Sequence, residues 1–144
     1  MYRIVIADDN AQYRGAVAYS LSGFKIVGEA EDGDEAYELV LSKKPDLLIL
    51  DLSLPKLSGL SVIKKIRKSL PEQKILILTI HENDEYFREA LQCGVNGYCS
   101  KRDSRKNIMN AINTVLSNGS YFSSIFNKKE IFFEDEDNEF EEEV

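Results

Sequence analysis

Residues 46–50, Asp46-Leu47-Leu48-Ile49-Leu50, run directly into Asp51. A short apolar run without polar alternation reads as a strand buried on both faces, and such strands belong to parallel sheets. Ile4-Val5-Ile6-Ala7 and Ile75-Leu76-Ile77-Leu78 have the same character, and Lys25-Ile26-Val27-Gly28 and Gly97-Tyr98-Cys99 complete a set of five. Segments of helical period separate them. Ala36, Leu39 and Val40 share a face, as do Leu60, Ile63, Ile66 and Arg67. Tyr86, Phe87, Ala90 and Leu91 repeat the pattern and stop at Gly94. Ile108, Met109, Ile112, Val115 and Leu116 stop before Asn118-Gly119, and the segment from Ala11 to Ser22 is the least periodic. Strands alternating with amphipathic helices predict (βα)₅, an α/β doubly wound parallel sheet of order 2-1-3-4-5.

A length of 144 residues with 43% hydrophobic and 30% charged content suits one globular domain. The net charge of −7 divides unevenly along the chain. Residues 127–144 carry Lys128, Lys129 and nine acids, while residues 1–126 carry 16 basic and 16 acidic groups. A charge-balanced body has no electrostatic footprint for nucleic acid, and the acidic run repels it. No apolar run approaches a membrane span, and Met1-Tyr2-Arg3 leads into a strand with no signal-peptide layout. Cys93, Cys99 and His81 are too few for a Cys/His zinc site, so the expectation is a cytoplasmic protein with reduced, packed thiols.

In a doubly wound sheet the site lies beyond the carboxyl ends of the strands, where the strand order reverses. The first run ends in Asp8-Asp9, the third in Asp51 and the fourth in Thr79, and Ser100-Lys101 follows the fifth. Singly, each has an ordinary explanation: a helix cap, a turn toward Pro55, a strand residue, a solvated lysine. All five on one sheet edge argue for a site. Three close carboxylates need a cation, and an all-oxygen donor set suits Mg²⁺. A hydroxyl, an ammonium and a hydrated cation can hold the oxygens of a phosphoryl group while a facing carboxylate attacks phosphorus. The expected chemistry is phosphoryl transfer to Asp51.

These residues resemble the bacterial response-regulator receiver domains, over about residues 2–122. The resemblance rests on Asp8-Asp9, on Asp51 followed by Pro55 and Gly59, on Thr79, and on Lys101 22 positions further on. It implies a flavodoxin-like receiver fold with Asp51 as phosphoacceptor. It also implies Mg²⁺ held by Asp9, Asp51 and the backbone carbonyl of Ser53, with Asp8 acting through water. Thr79 and Lys101 would contact the phosphoryl oxygens, and Tyr98 would be the aromatic switch residue that turns inward. The implied partner is a sensor histidine kinase. The implied output is a changed surface on the fourth helix, fifth strand and fifth helix, which is also a candidate homodimer face. Such a domain is not an enzyme beyond self-phosphorylation and autodephosphorylation.

Leu78 to Tyr86, Ala90-Leu91, Gly94 to Tyr98, and Asn118 to Ser123 resemble the NarL/LuxR branch. There, a helix-turn-helix domain follows the receiver. The 22 residues after Phe122 do not hold one, so direct nucleic-acid contact is not carried over to this chain. Two readings stay open: a regulatory domain whose DNA-binding output lies beyond residue 144, or a stand-alone receiver acting through protein contacts. A phosphohydrolase using Asp51 as nucleophile, in the manner of haloacid-dehalogenase-type enzymes, needs a second acid two residues on, where Ser53 stands. Ile80 is bulkier than the small residue common after the threonine and is expected to tune access to Asp51. Ser53 and His81 flank the site and can tune hydrolysis, with His81 read as an exposed loop residue.

The expected organisation is a receiver domain at 1–122 and a disordered acidic tail or linker at 123–144. Deleting residues 127–144 should leave the rate of Asp51 phosphorylation within about twofold of the full chain, since the tail carries none of the reacting groups. Intact-mass time courses on both proteins check this.

Overall fold

Residues 1–123 are described by a computed structural model of the chain. The expectation of a disordered tail therefore lies, from residue 124 onward, outside the described residues.

The strands are β1 (Arg3–Ala7), β2 (Lys25–Ala30), β3 (Leu47–Leu50), β4 (Ile75–Thr79), β5 (Gly97–Ser100) and β6 (Tyr121–Phe122). The helices are α1 (Ala11–Ser20), α2 (Gly33–Lys43), α3 (Gly59–Ser69), α4 (Asp84–Gln92) and α5 (Arg105–Leu116). One parallel sheet runs in the order β2-β1-β3-β4-β5-β6. The predicted order holds and gains a sixth strand. β6 has only two residues, too few to show a period, and it forms by pairing with the outer edge of β5.

All residues of β3, β4 and β5, and all of β1 after Arg3, are buried. The pleat sends alternate residues to opposite faces. Val5, Leu48, Leu50, Ile75, Ile77 and Tyr98 pack against α2, α3 and α4 through Val40, Ile63, Ile66 and Phe87. Ile4, Ile6, Leu47, Ile49, Leu76, Leu78 and Cys99 pack against α1 and α5 through Val17, Ile112 and Val115. Two apolar layers explain why these strands carry no polar alternation. β2, on the outside of the sheet, is only partly covered, which fits its mixed sequence.

Each helix opens on a side-chain cap. Asn10, Asp32, Ser58, Asn83 and Ser104 accept from the backbone N–H three residues on. Such caps contribute about 1 kcal/mol apiece. Their more important effect is to end every strand-to-helix loop at a defined point on the carboxyl edge of the sheet.

Cys99 is fully buried and Cys93 half-buried, and both are free thiols. Burial, reinforced by the nearby charge of Asp103, pushes the Cys99 thiol up to about 12. Iodoacetamide should therefore label Cys93 in the native protein and reach Cys99 only on unfolding. Peptide mass mapping checks the order; native labelling of Cys99 would contradict this packing.

Candidate functional site

The sheet delivers four of the predicted groups to one edge. Asp8 follows β1, Asp51 follows β3, Thr79 closes β4 and Lys101 follows β5. Asp8 and Asp51 are 3% and 4% exposed, whereas Asp9 is open to solvent. One oxygen from each of the three acids lies within 4.8 Å of the others, a grouping able to hold a metal ion. Lys101 Nζ bridges the buried pair, 2.7 Å from Asp8 Oδ2 and 3.1 Å from Asp51 Oδ2. Burial alone would lower the affinity of this lysine for its proton. Its bonds to Asp8 and Asp51 outweigh that and hold its pKa above the ordinary lysine value. Its ammonium also lies 4.5 Å from the centre of the Tyr13 ring. Burial and the two carboxylates push the Tyr13 phenol up to about 12.

The carboxylates are held by their own loops. Asp8 Oδ1 accepts from the Asn10 N–H at 2.9 Å, and Asp51 Oδ1 from the Ser53 N–H at 3.2 Å. Arg14 donates to the Asp8 carbonyl at 2.7 Å while pairing with Glu29 and Glu31 at 3.0 and 3.5 Å. It ties the end of β1 to the end of β2.

The spacing of Asp51, Pro55 and Gly59 has a direct geometric cause. The Gly59 N–H bonds the Leu52 carbonyl at 3.0 Å, folding the loop back onto itself. A Cβ on Gly59 would stand 2.6 Å from both Asp51 O and Leu52 Cα. The Pro55 carbonyl accepts from the Gly33 N–H at 3.1 Å, and a Cβ on Gly33 would meet Leu57 O at 1.8 Å. Backbone therefore presses on backbone on both sides of the loop that carries Asp51.

On the other side stands His81. Its N–H donates to Thr79 Oγ1 at 3.2 Å, its Nε2 is hydrogen-bonded with Ser53 Oγ, and its ring packs 4.7 Å from that of Tyr86. Its carbonyl accepts from the Tyr98 hydroxyl at 3.0 Å. His81 is thus partly buried and fastened at four points, not the exposed loop residue expected from sequence. Tyr98 is fully buried, so it already lies inward here. Burial, and then the charge of Asp51, push its phenol above the ordinary tyrosine range. Ile80 is 64% exposed. Sequence reasoning missed Tyr13 and Arg14. Tyr13 stands 88 positions from Lys101, and no local pattern announces that contact.

Fold and site together define a doubly wound α/β domain with a lysine-bridged acidic cluster at its switch point. The sequence model of the response regulator receiver domain matches residues 4–113, and the chain belongs to that family. Within it the chain is of the NarL/LuxR type, a phosphorylation-dependent signalling domain. It is 42% identical over 123 residues to the oxygen regulatory protein NreC of Staphylococcus haemolyticus, covering 83% of this chain and 57% of that protein. NreC of Staphylococcus epidermidis (strain ATCC 12228 / FDA PCI 1200) gives the same identity over 56% of its length. This chain thus spans just over half of the curated relatives it matches. Among solved structures, a LuxR-family two-component response regulator from Aurantimonas sp. SI85-9A1 superposes with a TM-score of 0.85 at 28% identity, covering 89% of this chain and 94% of that one. The signal receiver domain of the putative response regulator NarL from Mycobacterium tuberculosis gives 0.76 at 31% identity, covering 81% and 96%.

Gly59→Ala and Gly33→Ala should each lower the unfolding free energy by about 1–3 kcal/mol, because the added methyl meets backbone and not a mobile side chain. Urea unfolding monitored by circular dichroism checks this. Unchanged midpoints would show that the loop yields freely.

Proposed function

We propose that Asp51 accepts a phosphoryl group from a phosphohistidine on a sensor histidine kinase. The observation that carries this reading is the nearly buried Asp51 carboxylate, with one oxygen on Lys101 and two further acids beside it. An Asp51 oxygen bonds to phosphorus as the donor's P–N bond breaks, and the electron pair stays on the departing imidazole nitrogen. Lys101 neutralises charge on a phosphoryl oxygen without leaving the acidic cluster. Thr79, whose oxygen accepts from His81, keeps its own hydrogen for a second phosphoryl oxygen.

The donor set is all oxygen and suits Mg²⁺ better than a soft metal. Asp9, Asp51 and the Ser53 carbonyl would ligate it directly, with Asp8 acting through water. When bound, the ion offsets the charge brought together by the carboxylates and the phosphate. The domain turns over nothing but its own acyl phosphate, which it forms and then loses to water. The hydrogen-bonded pair Ser53 and His81, joined to Asp51 through the Ser53 N–H, would tune that hydrolysis.

The bound phosphate biases a two-state equilibrium in which Tyr98 inward is the active form. The surface of α4, β5 and α5 carries the change and serves as a homodimer contact. The likeness to NarL/LuxR-type response regulators, one of them a DNA-binding LuxR-family regulator from Staphylococcus aureus, supports a role as the regulatory part of a cytoplasmic transcriptional response regulator whose DNA-binding portion lies beyond residue 144. Among the described residues no helix is long and apolar enough to cross a membrane.

With Mg²⁺ and phosphoramidate, intact mass should show a single phosphoryl adduct, absent in Asp51→Asn and not formed when a chelator is present from the start. Lys101→Ala should slow its formation about a hundredfold, as loss of a charge-stabilising donor does. No adduct from either phosphoramidate or a histidine kinase would overturn the assignment.

A further inference from the structure

β6 is the last described strand, and it is attached at an unusual place. Its Tyr121 N–H donates to the Asn96 carbonyl at 3.1 Å, and the Ser123 N–H donates to the Tyr98 carbonyl at 3.1 Å. Phe122 pairs in register with Tyr98. The Phe122 ring packs 5.7 Å from that of Phe87, and Phe87 packs 5.3 Å from the ring of Tyr98. The Tyr98 hydroxyl in turn reaches the His81 carbonyl, and His81 touches both Thr79 and Ser53. A continuous series of contacts therefore joins the loops beside Asp51 to β6.

Two features suit β6 to switching. A two-residue strand held by few backbone bonds has little stability of its own and depends on what it packs against. Moreover, Ser123 is 3% exposed, yet its hydroxyl has no hydrogen-bond partner among the described residues. A buried, unpaired hydroxyl opposes docking. The strand is thus held by the aromatic stack and a short backbone ladder on β5, against the penalty of that hydroxyl.

We propose that β6 is a latch: residues 121–123 dock on β5 when Tyr98 is inward, detach when it turns out, and so set where the following chain leaves the domain. This rests on the reading of Asp51 and Tyr98 given above and extends it to the exit of the chain. Tyr98 turned outward would remove support from Phe87, and with it the surface on which Phe122 rests.

Because coupling between two sites is reciprocal, whatever phosphate does to β6, β6 must do to phosphate affinity by the same factor. The test uses the full 144-residue chain with Mg²⁺ and beryllofluoride as the phosphoryl stand-in. Hydrogen exchange is read at the amides of Tyr121 and Ser123, and beryllofluoride affinity by titration. Loading should slow exchange at both amides at least about fivefold, the low end of typical coupling. Phe122→Ala should abolish that protection and weaken beryllofluoride binding by the same factor. Ser123→Ala, which removes the unpaired hydroxyl and does not disturb the stack, should strengthen both. If the loaded protein exchanges these amides at the unloaded rate, or Phe122→Ala binds beryllofluoride like the parent, the latch is overturned and the role of Asp51 stands. If beryllofluoride does not bind and phosphoramidate leaves no adduct, the reading of Asp51 falls, and the latch with it.

Discussion

The contact of Lys101 with Asp8 and Asp51 is the interaction on which the rest depends. Two carboxylates within a few ångströms and almost out of water repel each other strongly, and one ammonium between them makes the arrangement tolerable. The bridge also links β1, β3 and β5, three strands contributed by distant parts of the chain. Asp9 stays solvent-exposed beside this pair, so three acids share one ammonium, a grouping able to hold a metal ion.

The positions of these groups follow from how a parallel sheet is closed. Every strand enters from the same side, so every strand-to-helix loop emerges at the carboxyl edge, and each loop is cut short by a helix cap. The loop after β3 is further compressed between Gly59 and Gly33, where backbone meets backbone. That compression permits little drift of Asp51. By contrast, His81, just past the end of β4, is held through contacts with the side chains of Thr79, Ser53, Tyr86 and Tyr98, and side-chain contacts can be exchanged for others. The rigid half of the site carries Asp51, and the adjustable half carries His81.

Much of this was legible without coordinates. Leu47 to Leu50 and Ile75 to Leu78 lack alternation because apolar layers cover both faces of the sheet. Asp8, Asp51, Thr79 and Lys101 could be placed on one edge because strand ends in such a sheet converge there. The place of His81 is not legible in sequence because its bonds to Ser53 and Tyr98 reach residues 28 and 17 positions away. β6 was missed because two residues carry no period.

The sequence by itself determined the alternation of strand and helix, the order of the first five strands and the convergence of Asp8, Asp51, Thr79 and Lys101 on one edge. Those follow from periodicity and chain connectivity, which are local properties. Only the tertiary structure decided that Lys101 spans two particular carboxylates over Tyr13, that His81 joins the site to Tyr98, and that Tyr98 pairs with Phe122. Each of these depends on the position of one side chain relative to another many residues away, and hydrophobic patterning does not encode such distances.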